Sequence, residues 1–345
     1  MGRRVLVARG GALPRQSGLG RAHHEFVDRL KSGAISGYDL GEVIEHSLDI
    51  SLLRRLLNRW SSHPRRVAKA VKSSDCDLLH ITDQEQAHLV PKSVGVPVSV
   101  TVHDLFHLQP REVLGIPVGD QQVSGIRKRD ISKLKEGLGR ADLLICISEA
   151  TAEECKEIWP DKRVAVLPHA IDTEPYRMPG EIGLRKFVLL TVGSDEPRKR
   201  LDFVNQVIAA LPPEVREDVN LVKVGSHLKL SDAELIAAYQ RAEALLFPSA
   251  AEGFGLPVLE AMAAGTPVLC ADLPAHNEVA DPSMLLVADD ISEWVEAVVQ
   301  LHTSWSERDG RDREPNGTAI TRAQRFNIED WGERIASAWD SMMGE

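Results

Sequence analysis

Short apolar runs alternate with helix-like stretches along the whole chain of 345 residues. Each run is almost continuously apolar and rich in Val, Leu and Ile, a pattern typical of parallel strands that helices cover on both faces. The predicted strands of the first half are VLVAR (5–9), DLLHIT (77–82), VPVSVTVH (96–103), DLLICIS (142–148) and RVAVLP (163–168). Those of the second half are FVLLTVG (187–193), NLVKVG (220–225), ALLFPS (244–249), PVLCA (267–271) and MLLVA (284–288).

This alternation predicts an α/β protein with two doubly wound domains, which also suits the length of the chain. The stretch 169–186 contains two prolines and two glycines and is predicted to link the domains. We therefore predict a first domain over 1–170 and a second over 171–325. An amphipathic helix within 326–345 is expected to pack back toward the first domain, and the polar stretch 306–318 is expected to be an exposed loop.

The net charge of −10 is distributed unevenly along the chain. Residues 1–172 hold 25 Lys and Arg against 22 Asp and Glu, whereas residues 173–345 hold 16 against 29. Within the first half, residues 51–72 contain seven basic side chains, no acidic one, and leucines at helical spacing. This segment fits either an amphipathic helix whose leucines belong to the core or a face that contacts an anionic membrane. Nucleic acid is not expected as a partner, because the rest of the chain is acidic and lacks an aromatic stacking pattern.

Neither a signal-peptide core nor an apolar run long enough to span a bilayer is expected from the sequence, which predicts a cytoplasmic protein. The four cysteines, Cys76, Cys146, Cys155 and Cys270, show no paired spacing. They are predicted to be buried free thiols rather than metal ligands.

The segment 247–267, FPSAAEGFGLPVLEAMAAGTP, carries the clearest candidate chemistry. An apolar run ends in a turn of small residues, after which Pro257 opens a short apolar helix that a glycine and a proline stop. Such a turn lies at the carboxyl edge of a parallel sheet, where open α/β folds bind ligands, and a helix N-terminus attracts anions. Glu252 precedes this helix, and Glu260 is predicted to lie in its first turn.

The stretch EGFGLPVLEAMAAGTPV, with seven residues between Glu252 and Glu260, resembles the donor-site motif of the retaining glycosyltransferases of family 4, which have the GT-B fold. The resemblance extends over nearly the whole chain and implies two Rossmann-like domains whose parallel sheets face each other across a cleft. It implies that Glu252 lies against the donor sugar and that Glu260 binds the ribose hydroxyls. The turn after Glu252 would hold sugar hydroxyls or phosphate through its backbone N–H groups, with Gly253, Phe254, Gly255 and Leu256 as donor-binding residues.

Residues 192–201, VGSDEPRKRL, are similar to the strand end and basic pair with which the family binds the donor diphosphate. Lys199 falls on the family's phosphate-binding lysine, and Arg198 would supply a second cation. Many members carry an arginine directly after the glycine, where this chain has Ser194. Basic side chains at a helix start would oppose the helix dipole, so a bound anion explains them better than an ordinary helix does. Members with an E-P-R-K sequence often use GDP-mannose, which makes mannose a hypothesis for the sugar.

Two motifs of the first half extend the resemblance. His103 closes the run VPVSVTVH and is similar to the family's strand-end histidine near the donor sugar, whereas a lone histidine there would otherwise indicate a structural role. The stretch GGALPRQSGLGRAHHEF is similar to the family's glycine-rich loop, which approaches the donor phosphates and the acceptor, and Gly18 and Gly20 are its matching glycines. Ser148 also matches a family position, although it equally suits the cap of the following helix.

Other chemistries fit the sequence less well. Asp75-Cys76-Asp77 spells the D-x-D of metal-dependent glycosyltransferases, but it precedes its strand and so belongs to the sheet edge opposite the ligand edge; we expect no metal ion. A glycoside hydrolase would use two carboxylates but would leave Lys199 without a role. The remaining alternative is a catalytically degenerate, nucleotide-sugar-binding subunit of a glycosyltransferase complex.

The resemblance thus implies a metal-independent, retaining hexosyltransferase with Glu252, His103 and Lys199 as catalytic residues. A GDP- or UDP-sugar would be the co-substrate, and no bound cofactor is expected. The basic first domain favours a glycan or lipid-linked acceptor over a small soluble one. The expected location is the cytoplasm, at the inner face of the cell membrane if residues 51–72 contact lipid.

Overall fold

The structure, a computed structural model, describes residues 2–15, 17–48, 51–177, 186–226, 228–311 and 313–344, except the side chains of Leu52 and Leu53. The chain divides into two compact units. Unit 1 comprises Met1–Pro110, Gly119–Pro168 and Ile328–Glu345, and unit 2 comprises Arg111–Val118 and His169–Asn327.

The strands, in chain order, are β1 (Arg3–Gly11), β2 (Tyr38–His46), β3 (Leu78–Ile81), β4 (Val98–Val102), β5 (Arg111–Val113), β6 (Ile116–Val118), β7 (Leu143–Cys146), β8 (Arg163–Val166), β9 (Phe187–Gly193), β10 (Val219–Gly225), β11 (Ala244–Phe247), β12 (Val268–Ala271) and β13 (Leu285–Leu286). The helices are α1 (Gly18–Lys31), α2 (Leu52–Leu57), α3 (His63–Ser73), α4 (Gly125–Arg140), α5 (Glu149–Ile158), α6 (Leu201–Ala210), α7 (Pro213–Asp218), α8 (Asp232–Arg241), α9 (Leu256–Ala263), α10 (Pro274–Val279), α11 (Ile291–Glu307), α12 (Gly317–Ala323) and α13 (Ile328–Met343).

Each unit is built on a parallel sheet. The strand order is β2-β1-β3-β4-β7-β8 in unit 1 and β10-β9-β11-β12-β13 in unit 2. In both, the chain leaves the first strand toward one side for the second strand and then crosses to the other side for the third. This reversal creates a switch point between β1 and β3 and another between β9 and β11, where a crevice opens at the carboxyl ends of the strands.

The predicted strands are confirmed because their central members are buried on both faces. Every residue of β3, β7, β11 and β12 is buried. Since a fully buried Val or Leu side chain contributes about 1.5–3 kcal/mol, these four-residue strands supply much of the stability of each core. The fold that the sequence predicts, two doubly wound α/β units, is therefore present.

Helix α13 belongs to unit 1. Trp339 is fully buried, and its Nε1 donates a hydrogen bond to Ser99 Oγ at 3.0 Å. Asp340 accepts from the Tyr38 hydroxyl at 2.7 Å and pairs with Arg3 at 2.6 Å. The end of the chain thus covers the sheet that its beginning forms.

Three regions differ from the sequence prediction. Strand β2 was not predicted, because it lies at the edge of its sheet and only two of its nine residues are buried, so it forms no apolar run. The short hairpin of β5 and β6, which the sequence placed in the first domain, belongs to unit 2; its turn has positive φ at Leu114 and Gly115. Of the predicted linker 169–186, residues 178–185 lie outside the described residues, and Tyr176 is buried in unit 2.

The polar stretch 306–318, of which residue 312 lies outside the description, is not simply an exposed loop. Arg313 is buried, and its guanidinium donates to the carbonyls of Ala242 and Gly265 and to Thr266 Oγ1. These carbonyls follow α8 and α9, so the arginine satisfies acceptors that the helix ends leave unpaired. An arginine that the sequence predicts to be exposed is therefore buried, and it connects the ends of α8 and α9.

The cysteine prediction holds for three of four residues. Cys146, Cys155 and Cys270 are buried free thiols, whereas Cys76 is a half-buried free thiol. Ser148 caps α5, with its Oγ accepting from the backbone N–H of Thr151 at 3.1 Å.

Candidate functional site

The clearest constellation of charged groups lies at the switch point of unit 2. The connection after β9 carries Arg198 and Lys199, and the connection after β11 carries Glu252. A backbone hydrogen bond from Ala250 N to Arg198 O, 2.7 Å long, ties the two connections together. Residues 53 and 54 positions apart in the sequence therefore meet because the fold places β9 and β11 side by side.

Glu252 receives both cations. Lys199 Nζ lies 2.5 Å from its Oε1, and Arg198 Nη1 lies 3.0 Å from its Oε2. The side chains of Glu252 and Lys199 retain only 11% and 12% of their exposure, so water screens this pair weakly. Arg198 Nη1 also donates to the carbonyl of Ala251 at 3.0 Å, which fixes the guanidinium against the turn.

The electrostatics keep Glu252 ionised. Burial alone would raise its pKa, but the charges of Lys199 and Arg198 outweigh burial and lower the pKa to about 2. At neutral pH the group is therefore an acceptor of hydrogen bonds and not a proton donor. Burial would lower the pKa of Arg198, but the carboxylates of Glu252 and Glu196 raise it.

Ser194, the departure from the family pattern, has a defined partner. Its hydroxyl donates to Glu196 Oε1 at 2.6 Å, and Glu196 Oε2 pairs with Arg198 Nε at 2.8 Å. The serine therefore orients the carboxylate that holds Arg198. Arg198 and Lys199 lie in a 3₁₀ turn, Pro197–Lys199, and α6 begins only after Arg200, whose φ is 51°. The basic residues thus precede the helix instead of forming its first turn.

The turn after Glu252 presents backbone rather than side chains. Gly255 caps α9 with φ 115°, a left-handed conformation that disfavours any residue with a Cβ. Phe254 is buried, and its ring contacts the rings of His169 and Phe326 at centroid distances of 5.5 and 5.6 Å. Gly253 and Leu256 flank these two residues, so the whole predicted donor turn is anchored in unit 2.

Glu260 occupies a different position from the one predicted. It is the fifth residue of α9 and so lies beyond the first turn, because the helix begins at Leu256. It is 2% exposed, with Oε2 accepting from the Tyr239 hydroxyl at 2.7 Å and Oε1 from the Tyr176 hydroxyl at 3.3 Å. The sequence analysis did not identify either tyrosine.

His276 is a further neighbour that the sequence analysis missed. It is 1% exposed, its Nδ1 donates to the carbonyl of Ala271 at 2.8 Å, and its ring lies 5.2 Å from that of Phe247. Burial lowers its pKa although the charge of Glu252 acts in the opposite direction. The neutral imidazole therefore borders the charged cluster without adding a third cation.

In unit 1, His103 lies at the carboxyl end of β4. Its backbone N–H donates to Gln84 Oε1 at 2.9 Å, and its Nε2 donates to the carbonyl of Thr82 at 3.0 Å. Burial lowers its pKa, so the ring is neutral at pH 7. A neutral, fixed ring suits positioning better than proton shuttling.

Gly18 and Gly20 open α1, but the chain requires only one of them to be glycine. A Cβ at Gly20 would lie 2.1 Å from Pro14 O and 2.5 Å from Ser17 Oγ, whereas a Cβ at Gly18 would have no atom within 4 Å. Ser17 caps the helix by accepting from Gly20 N at 3.2 Å. Packing explains Gly20 and does not explain Gly18.

In the basic segment 51–72, valines of α3 are buried in the core, whereas Leu56 and Leu57 are not. Val67 and Val71 of α3 are buried in the core of unit 1, as an amphipathic helix requires. Leu56 and Leu57 of α2, however, are 38% and 57% exposed. A π-helical turn, Asn58–Ser62, separates α2 from α3, and within it Arg59 forms a bidentate pair with Asp130 of α4.

No group of three or more His, Cys, Asp and Glu side chains is placed to hold a metal ion within the ranges that the structure covers. Asp77 of the D-x-D sequence lies at the amino end of β3, where its carboxylate accepts from Arg4 N at 2.7 Å. Among the helices described, none is long and apolar enough to cross a bilayer.

Two parallel-sheet units of this kind form the GT-B fold, which similar solved structures share. The family models described as "Glycosyltransferase Family 4" and "Glycosyl transferases group 1" match residues 22–175 and 186–304, which together are most of the chain. The chain belongs to the group 1, family 4 glycosyltransferases.

Similar proteins agree with this assignment. The O-antigen chain mannosyltransferase B of Escherichia coli is 25% identical over 314 residues, covering 80% of this chain and 77% of the relative. Sucrose-phosphate synthase from Thermosynechococcus elongatus has a TM-score of 0.71 at 14% identity, with 99% of both chains covered. Anabaena HepE in complex with UDP and glucose has a TM-score of 0.66 at 15% identity, with 98% of this chain and all of that one covered.

Proposed function

We propose that the protein transfers a hexose, with mannose as the first candidate, from a nucleotide-diphosphate sugar to a glycan or lipid-linked acceptor with retention of configuration. The observation that carries the proposal is the convergence of Lys199 and Arg198 on the buried carboxylate of Glu252 at the switch point of unit 2. That arrangement offers two cations to an anion and one permanent acceptor to a hydroxyl group.

The charge balance explains how a nucleotide sugar would bind. The two cations are matched by Glu252 and Glu196, so the cluster is neutral by itself. A diphosphate carries about two to three negative charges and would compete with these carboxylates for the cations. Glu252, once released from part of its pairing, would accept hydrogen bonds from sugar hydroxyls, while Lys199 and Arg198 stabilise the departing diphosphate.

The same pKa separates transfer from glycoside hydrolysis. A hydrolase needs one carboxyl group with a raised pKa to protonate the leaving group. Glu252, with a pKa of about 2, cannot supply that proton near neutral pH. Nor does a diphosphate need it, since it is a good leaving group and can itself take the acceptor's proton on the front face of the sugar. Retention then requires neither an enzyme nucleophile nor a metal ion.

Glu260 remains our candidate for the ribose hydroxyls. Its bond from Tyr176, at 3.3 Å, is longer than its bond from Tyr239, at 2.7 Å. A ribose hydroxyl would therefore replace the Tyr176 contact more readily, while Tyr239 keeps the carboxylate in place.

The sugar and the acceptor are proposed from a relative and from one motif. The E. coli relative is a mannosyltransferase of the O-antigen chain, and the E-P-R-K sequence points to GDP-mannose. A glycan or lipid-linked acceptor on the side of unit 1 would fit both. HepE was solved with UDP, so a UDP-sugar is the second donor to test.

A nucleotide panel tests the donor site. UDP, GDP, ADP and dTDP, followed by their sugars, are compared by thermal shift, and nucleotide release from GDP-mannose is measured with a glycan or lipid extract. We expect Lys199→Ala to lower release at least about 100-fold and Glu260→Ala to weaken nucleotide binding. Lys223→Ala is the control, because Lys223 is an exposed residue of β10 that donates a hydrogen bond to Asn205 of α6.

Normal release in both site variants would contradict the proposed roles. Nucleotide binding without any transfer, in every extract, would instead favour the degenerate binding subunit.

We further propose that the protein works at the cytoplasmic face of the membrane, through α2 and the start of α4. Leu56, Leu57 and Ile126 are exposed, and Ile126 lies one turn before Arg129, whose guanidinium is 5.7 Å from the Trp60 ring. Exposed apolar side chains beside basic ones suit an anionic lipid surface.

Sedimentation with vesicles tests this surface. We expect binding to vesicles that contain phosphatidylglycerol and loss of that binding when Arg54, Arg55, Arg65 and Arg66 are changed to alanine. Vesicles of phosphatidylcholine alone serve as the control. Unchanged sedimentation of the quadruple variant would refute the membrane contact.

A further inference from the structure

Arg9 is a charged residue inside an apolar strand. It belongs to β1, whose neighbours Val5–Ala8 are fully buried, and it is itself 2% exposed. Neither the motif analysis nor the proposed function gives it a role. A buried guanidinium must find partners for its charge and its donors, so its contacts indicate what it is for.

Two of the three contacts of Arg9 go to the connection between β1 and α1. Its Nε donates to the carbonyl of Gly11 at 3.2 Å, and its Nη1 donates to the carbonyl of Leu19 at 3.1 Å. Gly11 ends β1, and Leu19 is the second residue of α1. One planar guanidinium thus joins the two ends of the glycine-rich connection.

The third contact compensates the charge. Arg9 Nη2 lies 3.1 Å from Asp83 Oδ2, and the Asp83 side chain is 1% exposed. Asp83 follows β3, the strand next to β1 across the switch point. Without this carboxylate a buried guanidinium would be strongly unfavourable, so Asp83 allows Arg9 to remain under the connection.

The backbone of Arg9 is also held. His63 of α3 is buried, and its Nε2 donates to the carbonyl of Arg9 at 2.6 Å. The residue is therefore fixed at its main chain by one element and at its side chain by another. A residue held at both its main chain and its side chain is suited to fixing the position of the backbone that it contacts.

We propose that Arg9 is a positioning residue, which with Asp83 holds the glycine-rich connection between β1 and α1 in the conformation needed for transfer. The link to transfer rests on the proposed function, in which Gly18 and Gly20 approach the donor phosphates and the acceptor. The link to the connection itself rests only on the contacts of Arg9.

Arg9→Lys separates these contacts. A lysine keeps a positive charge for Asp83, but a single ammonium group cannot reproduce a fork that reaches two carbonyls and a carboxylate. We expect amide hydrogen exchange at the ends of the connection to rise at least tenfold, with exchange in β4 and α5 unchanged. We also expect nucleotide release from GDP-mannose to fall at least tenfold in kcat/KM.

Two further variants control the experiment. Arg9→Met combined with Asp83→Asn removes both charges together, so it avoids an unpaired buried charge, and it should show the same local increase in exchange. Lys223→Met removes an exposed donor far from the connection in sequence, the hydrogen bond from Lys223 to Asn205 at 2.7 Å, and it should change neither readout.

The outcomes are distinct. Wild-type exchange at the connection in Arg9→Lys, or an equal rise throughout unit 1, would overturn the proposal, because Arg9 would then be an ordinary core residue. If the wild-type protein releases no nucleotide from any donor, the proposed function fails, and the exchange arm alone decides whether Arg9 holds the connection.

Discussion

The two units place an ion pair at the same topological position and give it opposite properties. In unit 1, Arg9 lies two residues before the end of the first strand and Asp83 follows the third. In unit 2, Lys199 follows the first strand of its sheet and Glu252 follows the third. Both pairs thus lie at the carboxyl edge of the strands that flank a switch point.

Burial and the number of cations distinguish the pairs. Burial raises the pKa of Asp83 to about 6, because the opposing charge of Arg9 is insufficient to offset the loss of water. Glu252 faces two cations, Lys199 and Arg198, and its pKa is lowered to about 2 despite its burial. Two cations in direct contact with Glu252 therefore outweigh desolvation, whereas the charges of Arg9 and Arg59 do not outweigh it at Asp83.

The difference in exposure indicates that the two ion pairs have different roles. A pair that is 2% and 1% exposed can hold backbone but has no room to exchange partners. The cluster around Glu252 keeps 11% to 20% of its side-chain exposure, so its cations can be transferred to an incoming anion. The same chemistry thus supports structure in one unit and, as we propose, binding in the other.

Acid titration gives the strongest test of this contrast. The folded-state pKa of Glu252 lies below its ordinary value of 4.5, so its contribution is complete above pH 4.5 and is lost as pH falls toward 2, by about 3 kcal/mol. The folded-state pKa of Asp83 lies above its ordinary value of 3.8, so its contribution changes with the opposite sign. Unfolding free energy should fall by about 3 kcal/mol on this account as pH rises from 3.8 to 6.

Urea unfolding, followed by hydrogen exchange in peptides of each unit, measures both effects. The advantage of wild type over Glu252→Gln should shrink between pH 5 and pH 2. The advantage of wild type over Asp83→Asn should grow between pH 6 and pH 4. Glu153→Gln, at an exposed position on α5, is the control. Changes of the same sign in both variants would remove the distinction between the two pairs.

The fold could be predicted largely because its central strands are buried on both faces. An apolar run such as DLLHIT or ALLFPS has the length and composition of a strand that is covered on both faces. Edge strand β2 gives no such signal, because Tyr38 and Ile44 are its only buried residues and polar residues separate them. The hairpin of β5 and β6 is too short for any periodicity to appear.

The site shows the same division between local and distant information. Glu252 and Lys199 were identified because each lies in a contiguous motif. Tyr176 was not identified, because it lies 84 positions from Glu260 in the sequence and no motif around it indicates the contact. Arg9 did have a signal, a charge within an apolar strand, but its partner could not be inferred without the pairing of β1 with β3.

The glycines at the starts of α1 and α9 extend the comparison of the two units to smaller effects. Gly20→Ala in unit 1 would force a Cβ to within 2.1 Å of Pro14 O, at a cost of about 1–3 kcal/mol. Gly255→Ala in unit 2 has space, with the nearest atom at 3.9 Å, but its φ of 115° costs about 1–2 kcal/mol. Steric contact disfavours a side chain at Gly20, whereas backbone conformation disfavours one at Gly255.

Gly18→Ala should differ from both. With no atom within 4 Å and a helical position, alanine there should stabilise unit 1 by about 0.5–1 kcal/mol in urea unfolding. The proposed function places Gly18 beside the donor phosphates and the acceptor, where a methyl group would obstruct the approach of a ligand to the backbone. We therefore expect Gly18→Ala to lower nucleotide release from GDP-mannose while it raises stability. Unchanged release in a stabilised variant would remove Gly18 from the proposed site.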